Sequence, residues 1–123
     1  VFISHPDAKL KTENYYWVDE YPCLQKRYVL NGFIYAIFGI YDYWDITHSP
    51  ESQKVFSECM TTIKDHIFYY RVPGARSYYD LKYKEQFPVY HRIHIMQLRW
   101  LSLLTGDTFF SNVADLFTYD FPS

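Results

Sequence analysis

At 123 residues the chain has room for one domain or a large part of one. Its formal net charge of −2 gives no global basic field, which argues against a nucleic-acid partner, and no run of about 18 apolar residues is present to span a membrane. Cys23 and Cys59 are too few for a disulfide scaffold and are expected to be free thiols.

Residues 1–23 carry no helical period; Val1 to Ser4 has strand-like composition and His5-Pro6-Asp7 reads as a turn. The aromatic, acidic stretch Tyr15 to Tyr21 is expected to be extended, because Pro22 disfavours the α region at Tyr21. From Leu24 to Trp44 the residues predict a long helix that is apolar on nearly every side, as a helix inside a larger assembly would be. Gly32 and Gly39 within it suggest close packing against another element. Ser49-Pro50-Glu51 is a helix start, with Ser at the N-cap, Pro in the first turn and an acid at the positive end of the dipole. Val55, Phe56, Cys59, Met60, Ile63 and Ile67 then recur at spacings of three and four, so this second helix has one apolar stripe and belongs outside.

Arg71-Val72-Pro73-Gly74 is a turn, and Ser77 to Tyr83 has strand-like composition without a helical stripe. A third helix is predicted from about Tyr90 to Leu104, ended by Gly106. Asp107 caps a fourth, which places Phe109, Val113 and Phe117 on one face. The fold class is therefore all-α. The order of inner helix, outer helix, decorated loop, inner helix and outer helix suits helical hairpins arranged as part of an α/α toroid, with a short strand-like loop insertion. Four helices close only part of such a ring, so further helices or another chain are expected to cover the first. The chain opens on Val1 without an initiator Met, and residues 1–123 are read as one piece of a longer domain.

Aromatic residues make up 22% of the chain, and the 14 tyrosines are the informative excess. A tyrosine offers a flat apolar face and a phenol together, which suits sugar rings as well as protein interfaces. Three clusters stand out: Asp19-Glu20-Tyr21-Pro22, Tyr78-Tyr79-Asp80-Leu81-Lys82 and Tyr90-His91-Arg92-Ile93-His94. Each joins phenol, carboxylate or imidazole with a cation near a helix end. No glycine-rich phosphate loop is present, and His91 and His94 lack a third ligand at a metal-binding spacing, so neither nucleotide nor metal is expected. Proton transfer remains: a phenol near pKa 10 can be tuned by neighbouring cations to take or give a proton, with Glu20 as an alternative base.

Taken in order, these motifs resemble the C-terminal domain of heparan sulfate D-glucuronyl C5-epimerases. That family carries Glu-Glu-Tyr-Pro followed by Val-Leu-Asn-Gly-Phe, matched here by Asp19-Glu20-Tyr21-Pro22 and Val29-Leu30-Asn31-Gly32-Phe33. Its Tyr-Asp-Leu-Arg is answered by Tyr79-Asp80-Leu81-Lys82, and its Tyr-His-x-x-His-x-x-Gln-Leu by Tyr90-His91, His94 and Gln97-Leu98. The resemblance implies an α/α-toroid isomerase that turns D-glucuronate into L-iduronate in a heparosan-like polysaccharide, without a cofactor. It implies Glu20 and Tyr90 as proton-transferring groups with Tyr21 and Tyr79 beside them. Lys82 would face the substrate carboxylate, and Asn31, His91 and His94 would orient the sugar. Lys82 stands where the family has Arg and lacks the bidentate fork of a guanidinium; Arg76-Ser77 stands where the family has Gly-Thr. The implied partners are the anionic polysaccharide, missing N-terminal domains and a possible second copy. The implied compartment is the Golgi lumen for an animal-like protein, and the cytoplasm or exterior for a microbial one. A uronate lyase, sharing the first proton abstraction, and a non-catalytic glycan-binding module are the alternatives.

Overall fold

The computed structural model describes residues 9–12, 15–18 and 27–122. The expectations for Val1 to Ser4, for His5-Pro6-Asp7 and for residues 19–26 lie outside them. Two short strands, β1 (Lys9–Thr12) and β2 (Tyr15–Val18), pair antiparallel with Lys9 opposite Val18 and Thr12 opposite Tyr15. The extended reading therefore holds over Tyr15–Val18. The remainder is helical: α1 (Leu30–Thr47), α2 (Pro50–His66), a single 3-10 turn (Ile67–Tyr70), α3 (Pro88–Thr105) and α4 (Thr108–Asp120). Helix α1 packs on α2, α3 on α4, and α1 on α3, while β2 lies against α2 and α1. The result is two helical hairpins joined through their first members.

The start of α1 differs from the sequence reading. Tyr28 is left-handed (φ 57°) and Val29 is extended, so the helix begins at Leu30 and not at Leu24. No side chain caps it. Instead, the Leu30 N–H donates to the Tyr79 carbonyl at 3.1 Å, and Tyr70 Oη donates to the Tyr28 carbonyl at 2.7 Å. Distant backbone and side chain thus do what a local cap would otherwise do. From Leu30 to Ile40 the helix is largely buried, with Leu30, Phe33, Ile34 and Ile37 all at 0% exposure. Beyond Ile40 it emerges: Tyr43 is 41% and Ile46 79% exposed. Only the first half behaves as an inner helix among the described residues. Gly39 is exposed, and a methyl group there would meet nothing within 4 Å, so close packing is not its reason here.

Helix α2 begins as its sequence predicts. Ser49 Oγ accepts from the Ser52 N–H, and Pro50 occupies the first turn. Its buried stripe runs through Ser52, Val55, Cys59 and Ile63. Cys59 is a free thiol in this core, and burial pushes it up to about 12, which makes it a packing residue and not a nucleophile. Helix α3 starts at Pro88, where proline's missing N–H costs nothing, and stops at left-handed Gly106 (φ 74°). Asp107 accepts from the Phe109 N–H to start α4, whose inner face is Phe110, Val113, Ala114 and Phe117.

The segment between the 3-10 turn and α3 contains one isolated bridge, Tyr78 with Gln86, and otherwise turns and bends. Its strand-like composition does not become a strand because Asp80 gathers the backbone into a loop. The fully buried Asp80 carboxylate accepts from the N–H groups of Tyr83 (2.9 Å) and Glu85 (3.3 Å) and from Arg27 Nε (3.3 Å). At the other end Arg71 grips Asp120 of α4 through two bonds of 2.7 and 2.9 Å, which hold that carboxyl below the usual range. No helix among the described residues is long and apolar enough to cross a membrane.

Candidate active site

The loop between Arg71 and Phe87 carries Tyr79 to the start of α1, where its carbonyl accepts from Leu30. Its ring meets Tyr90, on the first turn of α3, with centroids 4.6 Å apart and planes tilted by 54°. Phe87 closes the cluster edge-on to Tyr79 at 5.5 Å, and the Arg27 guanidinium lies 5.4 Å from the Tyr79 centroid. Tyr79 is buried, while Tyr90 is only partly so. The Tyr90 phenol makes no hydrogen bond among the described residues, leaving it available to a ligand. Lys82 is exposed on the same loop, its ammonium 5.1 Å from the Tyr83 ring. Glu20 and Tyr21 lie outside the described residues.

A polar seam runs inward from this cluster. His91, His94 and Gln97 follow at intervals of three along α3, so they share one face, and all three are buried. His91 Nδ1 accepts from the Ser77 N–H at 2.9 Å, and its Nε2 lies 3.0 and 2.8 Å from the carbonyls of Phe117 and Phe121. Both nitrogens are therefore engaged by protein, which leaves His91 without a lone pair for a metal or a sugar. Ser77 Oγ lies 2.9 Å from His91 Nδ1 and 2.8 Å from His94 Nδ1. Gln97 Nε2 donates to the Asn31 carbonyl at 3.0 Å, tying α3 to the first turn of α1. Asn31 Oδ1, His94 Nε2 and Gln97 Oε1 are buried without hydrogen-bond partners among the described residues.

The structure thus brings Asn31, Tyr79, Tyr90, His91 and His94 to the junction of α1, α3 and the loop. It adds Ser77 and Gln97, which sequence reasoning left out of the site. Gln97 had a visible signal, three residues beyond His94 on the same helical face. Ser77 had none, because its partners are 14 and 17 residues away. An open groove of about 480 Å³ lies elsewhere, between α1 and the second half of α3, lined by Phe38, Tyr41, Asp42, Trp100, Leu103 and Leu104. It is mostly apolar and contains none of the converging polar groups, so it is not where proton transfer is sought.

Burial, with the nearby His91 second, pushes His94 down to about 3 from an ordinary 6.5. Above pH 6.5 neither the folded nor the unfolded chain protonates it, and its neutral state costs nothing. Below that pH the unfolded chain binds a proton that the folded chain refuses until about pH 3, so stability is lost as pH falls across this window. Urea unfolding at pH 7 and pH 5 is expected to show a loss of about 2 kcal/mol, and His94→Gln to flatten it. Equal slopes for the two proteins would mean that His94 titrates normally.

Comparison with known proteins matches the chain to one family. The model described as D-glucuronyl C5-epimerase C-terminus covers residues 6–119. An uncharacterized protein of Methanocaldococcus jannaschii is 35% identical over 97 residues, covering 79% of this chain and 31% of its own length. The D-glucuronyl C5-epimerase of Caenorhabditis elegans is 26% identical over 118 residues, covering 80% of this chain and 19% of its own length. The chain spans less than a third of the length of these curated relatives. On the match over residues 6–119, nearly the whole chain, it belongs to the D-glucuronyl C5-epimerase C-terminal domain family.

Proposed function

We infer that the domain takes part in C5-epimerisation of D-glucuronate to L-iduronate within a glucuronate-containing, heparosan-like polysaccharide. The observation that carries this reading is the uncommitted Tyr90 phenol held against buried Tyr79 at the mouth of a polar seam. The hydrogen at C5 is acidic because the C6 carboxylate is attached there, and its removal builds enolate-like charge on the carboxylate oxygens. In this reading Glu20 and Tyr90 transfer protons on opposite faces of the ring, and Tyr21 and Tyr79 stand beside them. Lys82, exposed on the adjacent loop, supplies positive charge for the carboxylate, as stabilisation of a developing anion requires. Asn31 and His94 orient the sugar, and His91, with both nitrogens engaged, holds the loop to α3 and α4. The scheme takes a proton and returns one, so no redox cofactor enters it.

We also read residues 1–123 as the C-terminal part of a larger α/α toroid. The two hairpins joined through α1 and α3 support this, as does the apolar groove along α1, with Leu103 83% exposed at its edge. Additional helices of the full-length protein are the expected cover.

The test is solvent-deuterium uptake. The full-length protein is incubated with a non-sulfated glucuronate polymer in D₂O, and deuterium at C5 of an intact polymer is the expected result. A new unsaturated uronate end would identify a lyase instead. Binding without exchange on every uronate polymer tried would identify a glycan-binding module.

A further inference from the structure

Lys82, Tyr83 and Lys84 stand together at the tip of the loop between the 3-10 turn and α3, and all three are exposed. Exposure is not looseness here, because the loop is closed beneath them. The Tyr79 N–H donates to the Glu85 carbonyl at 2.6 Å, Tyr78 bridges Gln86, and the buried Asp80 carboxylate accepts from the Tyr83 N–H at 2.9 Å. Lys84 is held left-handed (φ 54°), a conformation that a residue other than glycine adopts only at a cost. The tip is thus set in one shape before a ligand arrives, which lowers the entropy lost on binding.

The Arg27 guanidinium lies 5.0 Å and the Lys82 ammonium 5.1 Å from the Tyr83 ring centroid, yet Tyr83 is still 58% exposed. Arg27 is committed to Asp80 and Glu85, and Lys64, Arg71 and Arg99 are each paired with an aspartate. Lys82 and Lys84 have no carboxylate partner among the described residues. Arg27 also lies 5.4 Å from the Tyr79 centroid, and Tyr79 meets Tyr90, so the exposed ring adjoins the tyrosine pair through one guanidinium. An open aromatic face between two unpaired cations fits a ligand that repeats an apolar ring face and an anion. Each residue of a glucuronate has both, in its C–H face and its carboxylate.

We propose that Tyr83 and Lys84 form a subsite beside the reacting sugar, in which the Tyr83 ring stacks on a neighbouring sugar of the same glucuronate polymer and the Lys84 ammonium pairs with a carboxylate farther along the strand. Lys82, whose ammonium already reaches the Tyr83 ring, then marks the boundary between this subsite and the reacting carboxylate. Tyr83 is a positioning residue: it sets which sugar of the strand is presented to Tyr79 and Tyr90. That the presented sugar is epimerised rests on the functional reading above, whereas binding at Tyr83 and Lys84 is measured apart from turnover.

Calorimetric titration of the full-length protein with a long non-sulfated glucuronate oligosaccharide is the test. Tyr83→Ala is expected to weaken binding on the order of tenfold, as loss of one well-covered aromatic anchor does, and Tyr83→Phe, which keeps the ring, to restore it. Lys84→Gln is expected to weaken binding severalfold and to flatten its salt dependence, and Lys84→Arg to restore both. Polyphosphate, anionic but without a ring face, is expected to bind Tyr83→Ala as it binds the parent; equal losses on both ligands would overturn the stacking. Parental affinity for the oligosaccharide in Tyr83→Ala and Lys84→Gln would overturn the subsite, and C5 exchange by the parent would then leave the functional reading standing. The expected contrasts without C5 exchange would do the reverse, and no binding by the parent would overturn both. Should Tyr83→Ala fail to fold, the Tyr83 ring resonances of the parent decide: they are expected to shift with the oligosaccharide and not with polyphosphate, and unmoved resonances would overturn the subsite.

Discussion

Replacing Tyr90 with Phe in the full-length protein is expected to abolish most C5 exchange while leaving the fold as it is. The ring of Tyr90 packs against Tyr79 at 4.6 Å and Phe87 at 5.9 Å, and phenylalanine keeps both contacts. Its hydroxyl has no partner among the described residues, so its removal strands no buried group. Only the proton transfer proposed for Tyr90 would be lost, and positioned acid–base groups contribute roughly 10²–10⁴-fold to rate. Deuterium uptake at C5, followed beside thermal unfolding, separates the two effects. Turnover within a few fold of the parent would take Tyr90 out of the mechanism.

The second large effect concerns stability. Phe33 is wholly buried in the core to which α1, α2, α3 and α4 all contribute. Phe33→Ala is expected to cost on the order of 3–5 kcal/mol, from lost burial and the cavity left behind. Ile46→Ala on the same helix, at 79% exposure, is expected to fall within about 0.5 kcal/mol of the parent. Paired urea titrations measure the contrast directly. A small loss at Phe33 would contradict the inner position of the first half of α1. A large loss at Ile46 would mean that a further element covers its face in the full-length protein.

The two halves of α1 also show where pattern reading stops. Val29 through Tyr41 is apolar on nearly every side, and periodicity alone makes the whole helix an inner one. Such a pattern states that a face needs cover, but not which element supplies it or how far it extends. Here α2 and α3 cover Leu30 to Ile40, and the end of the helix emerges beyond them. The tyrosines and histidines of the site were legible as ordered motifs. Tyr79 and Tyr90, 11 positions apart, meet because a loop returns between them. Ser77 remained invisible because a lone serine in a polar loop has the same local signature whether it faces water or two buried imidazoles.

By itself the sequence determined the elements whose causes are local. Ser49-Pro50 starts α2, Pro88 starts α3, Gly106 ends it and Asp107 starts α4, because each cap is made within a few residues of chain. It also determined the family, since the order of motifs needs no geometry to be read. Tertiary structure alone decided the start of α1, the loop in place of a strand, and the seam behind the tyrosines. Leu30 is held by Tyr79, Asp80 by Arg27 at a separation of 53 residues, and Gln97 by Asn31 at a separation of 66. Those hydrogen bonds exist only once the helices have packed, because burial removes the water that would otherwise satisfy the same groups and leaves each to find its partner across the fold.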